Sequence, residues 1–377
     1  MDINKHSLEA HKKLRGKISV KLKDQLDSKL KLSTYYTPGV AAVSTYLSDY
    51  PNEARNYTWL NNSVAVVSDG SAVLGLGNIG PIGALPVMEG KCMLFKEFAG
   101  IDAIPIVLNV HSADEIVDAV TAIAPSFGGI NLEDIAAPIC FEVEQRLKQA
   151  LAIPLMHDDQ HGTAVVVLAG LINASKITGK KLGDCSVVVI GAGAAGVAVS
   201  KLLHEYAEPN ITVIDSKGII SNDRDDLSSV KHELASYNSK KYKTHEFSEA
   251  IAGADILIGV SKPGIVSQAD IKSMAKNPIV FAMANPVPEI MPDEAYAAGA
   301  AIVATGRSDF PNQVNNVLAF PGIFRGALDN QVKHITEKHK VAAAEALAAL
   351  VKHPTKDKII PSVFDREIVP AISAVIT

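Results

Sequence analysis

The sequence predicts an α/β protein of two domains, and three observations carry that expectation. Its 377 residues exceed what one hydrophobic core commonly organises, so two domains are the natural division. Short β-branched runs alternate with segments of helical spacing along nearly the whole chain, as βα units do. One stretch also joins strand, tight turn and helix: the apolar run 186–190 opens into Gly191-Ala192-Gly193-Ala194-Ala195-Gly196 and then an Ala/Val/Leu segment. A second β-branched run, 211–214, ends in Asp215, about twenty residues past Gly196, which is the order and distance of a dinucleotide fingerprint. The expected architecture is an N-terminal α/β domain, 1–160, plus a Rossmann-type doubly wound NAD(P)-binding domain, 161–377, with a helical C-terminal tail.

Each glycine of the fingerprint has its own reason. Gly191 permits the turn, Gly193 lets the backbone approach a diphosphate, and Gly196 lets helix pack on strand; the helix N-terminus then offers free N–H groups and a positive dipole end. The plainer reading is a glycine turn that only permits close packing. Asp215 can accept hydrogen bonds from a ribose. It would repel a 2′-phosphate, which favours NAD over NADP, although Lys217 and Lys262 lie where they could neutralise one.

Composition excludes several classes. The net charge is −5 with acids and bases interspersed, which suits neither nucleic acid nor an anionic membrane surface. Only Cys92, Cys140 and Cys185 are present, with no C-x-x-C pair, so a reduced, cytoplasmic setting is expected. The N-terminus lacks the apolar core of a signal peptide, and the most apolar stretch, 187–199, is short and carries three glycines; neither export nor a membrane span is expected.

From the N-terminus, residues 5–14 read as a lysine-rich helix, and the alternation of Lys17 to Lys23 predicts a half-buried strand. Tyr35-Tyr36-Thr37-Pro38-Gly39 then forces a turn into a helix of small residues. Residues 64–68 form a strand, Asp69-Gly70 a turn, and 71–78 the second strand of a hairpin ending in glycines. A helix over 82–98 carries Lys91 and Lys96, which on helical statistics alone are solvated. Two βα units follow, with strands at 103–110 and 127–132 and a capping box at Ser112 and Glu115. The second strand ends in Glu133-Asp134. A helix over 138–151 leads to strand 153–156, which ends in His157-Asp158-Asp159-Gln160-His161-Gly162, so two consecutive strands carry acidic pairs where α/β sheets place ligands. After Gly162 a small-residue helix to 177 links the domains. Strands are expected at 254–259, 278–283 and 300–304, then a helix bearing Asn315-Asn316 and ending near Phe320-Pro321-Gly322. The tail is helical over 340–351 and from 368 to the end.

Glu133, Asp134 and Asp159 form a hard-oxygen set suited to Mg²⁺ or Mn²⁺ with positions left for substrate oxygens. The plainer reading is N-capping of the following helices. His157-x-x-x-His161 resembles a zinc motif, but His157 closes a strand, so no helical turn holds both rings on one face. A dinucleotide with a divalent metal points to oxidation of a hydroxy acid, and to decarboxylation if the metal also stabilises an enolate.

These motifs coincide, in order, with one family. Tyr36-Thr37-Pro38, Leu74-Gly75-Leu76-Gly77-Asn78-Ile79-Gly80, Gly90-Lys91, Ala99-Gly100-Ile101, Glu133-Asp134, His157 to Ala164, the Gly191 fingerprint, Asn285-Pro286, Asn315-Asn316 and Phe320-Pro321-Gly322 make the chain resemble the small bacterial malic enzymes over nearly its whole length. The resemblance implies that the N-terminal domain holds substrate and metal and that L-malate is oxidatively decarboxylated to pyruvate and CO₂ with NAD or NADP. It implies Lys91 as general base and substrate contact and Tyr36 as the acid that protonates C3. It further implies Glu133, Asp134 and Asp159 as metal ligands supported by Asp158, with Asn285 and Asn316 at substrate and Asn285 also at the cofactor. A homodimer is implied too. As a base Lys91 must be neutral, so its pKa is expected to be lowered by burial or by the metal. Larger family members carry an arginine where this chain has Ser71-Ala72-Val73, and Arg307 is the candidate substitute. No phosphotransacetylase-like extension of the kind some bacterial relatives append is expected. Rival readings are a malolactic-type enzyme that releases lactate and a dinucleotide-sensing regulatory protein without chemistry.

Overall fold

The computed structural model describes residues 3–73 and 76–377; Leu74 and Gly75 of the glycine-rich motif lie outside the described residues. Strands return through helices in both halves, which makes their pairing parallel. In the N-terminal half β1 (Ser63–Ser68), β2 (Asp102–Val107), β3 (Gly129–Leu132) and β4 (Leu155–His157) form a sheet of order β2-β1-β3-β4. The second sheet contains β5 (Ser186–Ile190), β6 (Asn210–Asp215), β7 (Gly218–Ile219), β8 (Ile256–Gly259), β9 (Ile279–Ala282) and β10 (Ile302–Thr305) in the order β10-β9-β8-β5-β6-β7. Only β7 is antiparallel there. The strand order reverses between β5 and β8, the crevice where doubly wound sheets take ligands.

Between the sheets runs helix Asp158–Thr178, whose residues from Ala164 to Ser175 are all buried. Within that run the Asn173 amide donates to the Ala348 and Ile359 carbonyls at 2.9 Å each, so its burial leaves neither of its N–H donors unmet. Helices Gly80–Ala99, Phe320–Asp329 and Glu337–Ala349 pack into the same apolar core through Phe95, Phe320, Phe324 and Leu347.

Four local expectations are corrected. Lys17 to Lys23 is not a strand: Val20 and Leu22 are 85% and 70% exposed, and no strand among the described residues pairs with the segment. Alternation alone cannot make a strand without a neighbour to pair with. The described residues of 71–78 do not form the return strand of a hairpin, because β1 already has parallel neighbours on both sides; a single bridge joins Val73 to Gly77. The linking helix starts at Asp158 rather than after Gly162, and the expected boundary at 160 falls in its first turn. Asn316 lies in a short 3₁₀ turn, Asn316–Leu318, and the next helix begins at Phe320 rather than ending there. The capping box at Ser112 is formed as expected.

Candidate active site

Parallel register builds the acid cluster. Leu132 at the end of β3 pairs with His157 at the end of β4, so Glu133-Asp134 and Asp158-Asp159 leave adjacent strands side by side. Carboxylate oxygens of Glu133, Asp134 and Asp159 all lie within 4.8 Å of one another. Asp134 has a φ of +53°, a left-handed conformation that costs a non-glycine residue roughly 1–3 kcal/mol. Its surroundings hold it there: its N–H donates to Asp159 Oδ2 at 2.7 Å and its carbonyl accepts from the Ala72 N–H at 2.9 Å. Asn131, a polar residue inside buried β3, donates to Glu133 Oε2 at 2.9 Å. Two buried carboxylates, Glu133 and Asp134, and the half-buried Asp159, with no thiolate among them, fit Mg²⁺ or Mn²⁺.

Lys91 enters this cluster from helix Gly80–Ala99. Its Nζ lies 2.6 Å from Asp158 Oδ2 and 2.8 Å from Glu133 Oε1, over the Phe320 ring at 4.2 Å, and the residue is 6% exposed. Burial alone does not lower its pKa. Burial pushes the ammonium down, but Asp158, Glu133 and Asp159 outweigh burial and hold it above the ordinary lysine value. The acids respond in turn: burial pushes Asp158 up to about 7 and Asp159 up to about 6, in both cases against the pull of Lys91. Glu133 is also raised, by burial.

Gly162 explains how Asn316 reaches this group. A Cβ there would overlap Asp158 Oδ1 and lie 3.1 Å from Asn316 Cβ, so the glycine lets the Asn316 turn close over the first turn of the helix. Asn285 lies in the exposed loop after β9, and Arg307 is tied to that loop through Nη1 to the Pro286 carbonyl at 3.0 Å. Arg307 is also paired with Asp309 at 2.6 Å. Lys96 pairs with Asp102 at 2.8 Å on the surface. His161 faces no metal: its ring nitrogens lie 2.8 Å from Glu144 Oε2 and 2.8 Å from Lys340 Nζ. Tyr36 stands apart, 67% exposed, with no hydrogen-bond partner for its hydroxyl among the described residues. Tyr35 beside it donates to Asp24 at 2.7 Å.

In the second sheet the three glycines separate packing from ligand approach. A Cβ on Gly191 would strike the Val260 carbonyl at 2.6 Å, and one on Gly196 would strike the Gly191 carbonyl, so both are required by packing. A Cβ on Gly193 would meet nothing within 4 Å, and packing does not account for it. Gly193 is the N-cap of helix Ala194–Ala207, where a diphosphate would meet the free N–H groups of Ala194, Ala195 and Gly196. Asp215 is not open as expected: Arg224 and Lys231 pair with it at 2.9 and 2.6 Å. Sequence reading missed Arg224, Lys231 and Asn131, and gave Phe320 only as part of a motif, without a role. Only Asn131 carried a signal, as a polar residue in an otherwise apolar strand.

A doubly wound nucleotide sheet joined to a second sheet that clusters acids around a buried lysine defines a dinucleotide-dependent oxidoreductase. Comparison gives the family. The malic enzyme N-terminal domain matches residues 11–148 and the malic enzyme NAD-binding domain matches residues 160–376; the chain belongs to the malic enzymes. It is 52% identical over 376 residues to a bifunctional malic/malolactic enzyme of Bacillus subtilis, covering 99% of this chain and 92% of that protein. It is 54% identical over 361 residues to an NAD-dependent malic enzyme of Geobacillus stearothermophilus, covering 95% and 75%. The crystal structure of an NAD-dependent malic enzyme from Thermotoga maritima matches with a TM-score of 0.95 at 48% identity, over 98% of each chain.

Proposed function

We propose that this chain oxidatively decarboxylates L-malate to pyruvate and CO₂ with NAD or NADP, and that Lys91 and Tyr36 perform the two proton transfers. The observation that supports this most is Lys91 held between Asp158 and Glu133 at the edge of the three-carboxylate cluster. Glu133, Asp134 and Asp159 would hold the divalent ion. When bound, the ion supplies Lewis acidity toward the substrate oxygens and counter-charge to the carboxylates that keep Lys91 protonated. The dinucleotide supplies the hydride acceptor.

The residues supply the rest. Lys91, as the neutral amine, takes the proton of the malate hydroxyl, and Asp158 at 2.6 Å fixes its Nζ toward the cluster. Asn316 and Asn285 bind substrate, each placed by a loop at the carboxyl edge of its sheet. Tyr36 gives a proton to C3 of enolpyruvate. The decisive assay measures NADH or NADPH formation from L-malate with Mn²⁺, together with the product: pyruvate is expected. Lactate with no net cofactor reduction would favour the malolactic reading, which the Bacillus subtilis relative's dual name keeps open. No turnover at all would favour a regulatory dinucleotide binder.

The N-terminal segment supports a homodimer. Leu8, Val20, Leu22, Leu30, Tyr35 and Tyr36 are each more than half exposed, an apolar surface that a second copy would cover and that would complete the site around Tyr36. Light scattering of the active protein should give twice the chain mass; a monomer would refute the dimer. The three buried free thiols support a reducing, cytoplasmic setting, and no helix among the described residues is long and apolar enough to cross a membrane.

A further inference from the structure

Glu144, on helix Ile139–Ala150, is a carboxylate outside the acid cluster, and it is only 6% exposed. Its Oε1 accepts from Lys148 Nζ at 2.9 Å and from the His157 backbone N–H at 3.0 Å. β4 is the edge strand of its sheet, so this N–H has no further strand to bond and Glu144 supplies the acceptor. Glu144 Oε2 lies 2.8 Å from His161 Nε2, in the first turn of helix Asp158–Thr178. The carboxylate therefore grips the chain on both sides of Asp158 and Asp159, whose own carboxylates engage Lys91 and the Asp134 N–H instead.

The grip continues into the C-terminal tail. His161 Nδ1 lies 2.8 Å from Nζ of Lys340, which is 1% exposed on helix Glu337–Ala349 and also donates to Glu337 Oε1 at 2.6 Å. An ammonium only donates, so Nδ1 accepts, and the ring proton sits on Nε2, from which it is donated to Glu144. One imidazole tautomer thus joins a helix of the N-terminal domain, the linking helix and the C-terminal helix. Lys148 and Lys340 balance Glu144 and Glu337, so the line brings no net charge into the interior. The carboxylates of Glu133, Asp134 and Asp159, within 4.8 Å of one another, repel, and keeping them together requires a backbone that does not yield.

We propose that Glu144, His161 and Lys340 are positioning residues that brace the turn bearing Asp158 and Asp159, so that the C-terminal helix sets the affinity of an ion site to which it contributes no ligand. The inference rests on the reading of Glu133, Asp134 and Asp159 as the ion's ligands, and goes beyond it by naming what fixes one side of the site. His161 thereby has a role other than the metal contact that its spacing from His157 resembles.

The test reads ion binding rather than turnover. Free Mn²⁺ is followed by electron paramagnetic resonance as the chelator-treated full chain is titrated, with calorimetric binding of NAD as the sign that the fold is kept. Lys340→Met fills similar space without the charge; the counter-charge left behind, Glu337, is 51% exposed and stays hydrated. This variant should bind Mn²⁺ about tenfold more weakly, the lower end of what outer partners of metal ligands are worth. Glu144→Gln should weaken binding too, because its single oxygen cannot replace both carboxylate oxygens, one facing the His157 N–H and the other His161 Nε2. His161→Gln, which keeps one acceptor and one donor, should retain the parent affinity. A Lys340→Met or Glu144→Gln chain that binds NAD and holds Mn²⁺ as tightly as the parent, even with a lowered melting temperature, overturns the brace. An unmodified chain that binds NAD but no Mn²⁺ overturns the ion-site reading itself.

Discussion

Lys91 is 6% exposed and gripped by two carboxylates, whereas Tyr36 is 67% exposed with a hydroxyl that no described residue engages. The two proton-transfer groups of one proposed reaction thus stand under opposite conditions. The interior group is fixed by the fold of this chain alone, through the register of β3 and β4 and the long helix that carries Lys91. The outer group sits at the C-cap of the short helix Lys29–Tyr35, in a segment whose apolar side chains face outward. Preorganised charge is cheapest to hold where packing already fixes the backbone, and a proton donor used only in the last step tolerates a less rigid mount.

That contrast orders the experiments by expected size. Asp159→Ala strikes the interior most severely, since it leaves a two-carboxylate site; malate oxidation should disappear, exceeding the loss seen on removing the base, while calorimetric binding of the dinucleotide survives. Near-normal activity at ordinary Mn²⁺ concentration would remove Asp159 from the metal site. Lys91→Ala should lower malate oxidation by the ~10²–10⁴-fold typical of general acid–base catalysis. It should also impair reduction of oxaloacetate, because the protonated lysine donates to the forming alkoxide; a variant impaired in neither direction would discard Lys91 as base. A smaller effect is thermodynamic. Mn²⁺ at a hundred times its dissociation constant should stabilise the chelator-treated protein by about 2.7 kcal/mol, read as a higher melting temperature, and Asp159→Ala should lose that gain. Equal stabilisation of the variant would place the ion elsewhere.

The interior was also the more legible region. Every strand but the two-residue β7 was placed from an apolar run bounded by glycine, proline or acids, and Ser112 with Glu115 announced its cap. Glu133, Asp134 and Asp159 were readable because acids at the carboxyl ends of consecutive parallel strands must lie together. The outer segment misled. Lys17 to Lys23 alternates as a strand does, yet period 2 reports only which side chains share a face and not whether a neighbouring strand exists. The second strand of the supposed hairpin failed for the related reason that pairing partners are set by topology. Arg224 and Lys231 left no trace, because an ion pair on Asp215 from a loop and a later helix depends on how the chain folds back after β7. Burial does not set the state of Lys91 by itself; its three carboxylate neighbours come from two other elements, and their distances decide the sign.

The division of labour between interior and outer groups is tested most directly by Tyr36→Phe, which keeps the ring and deletes only the hydroxyl. Two reactions are measured on the same preparation: reduction of oxaloacetate with NADH and metal, which needs no proton at carbon, and exchange of the pyruvate methyl hydrogens with solvent. The account predicts that reduction persists while exchange is lost by at least the ~10²-fold expected of a missing acid. Exchange at the wild-type rate would contradict it, and Tyr35, whose hydroxyl donates to Asp24 at 2.7 Å, would become the residue to test.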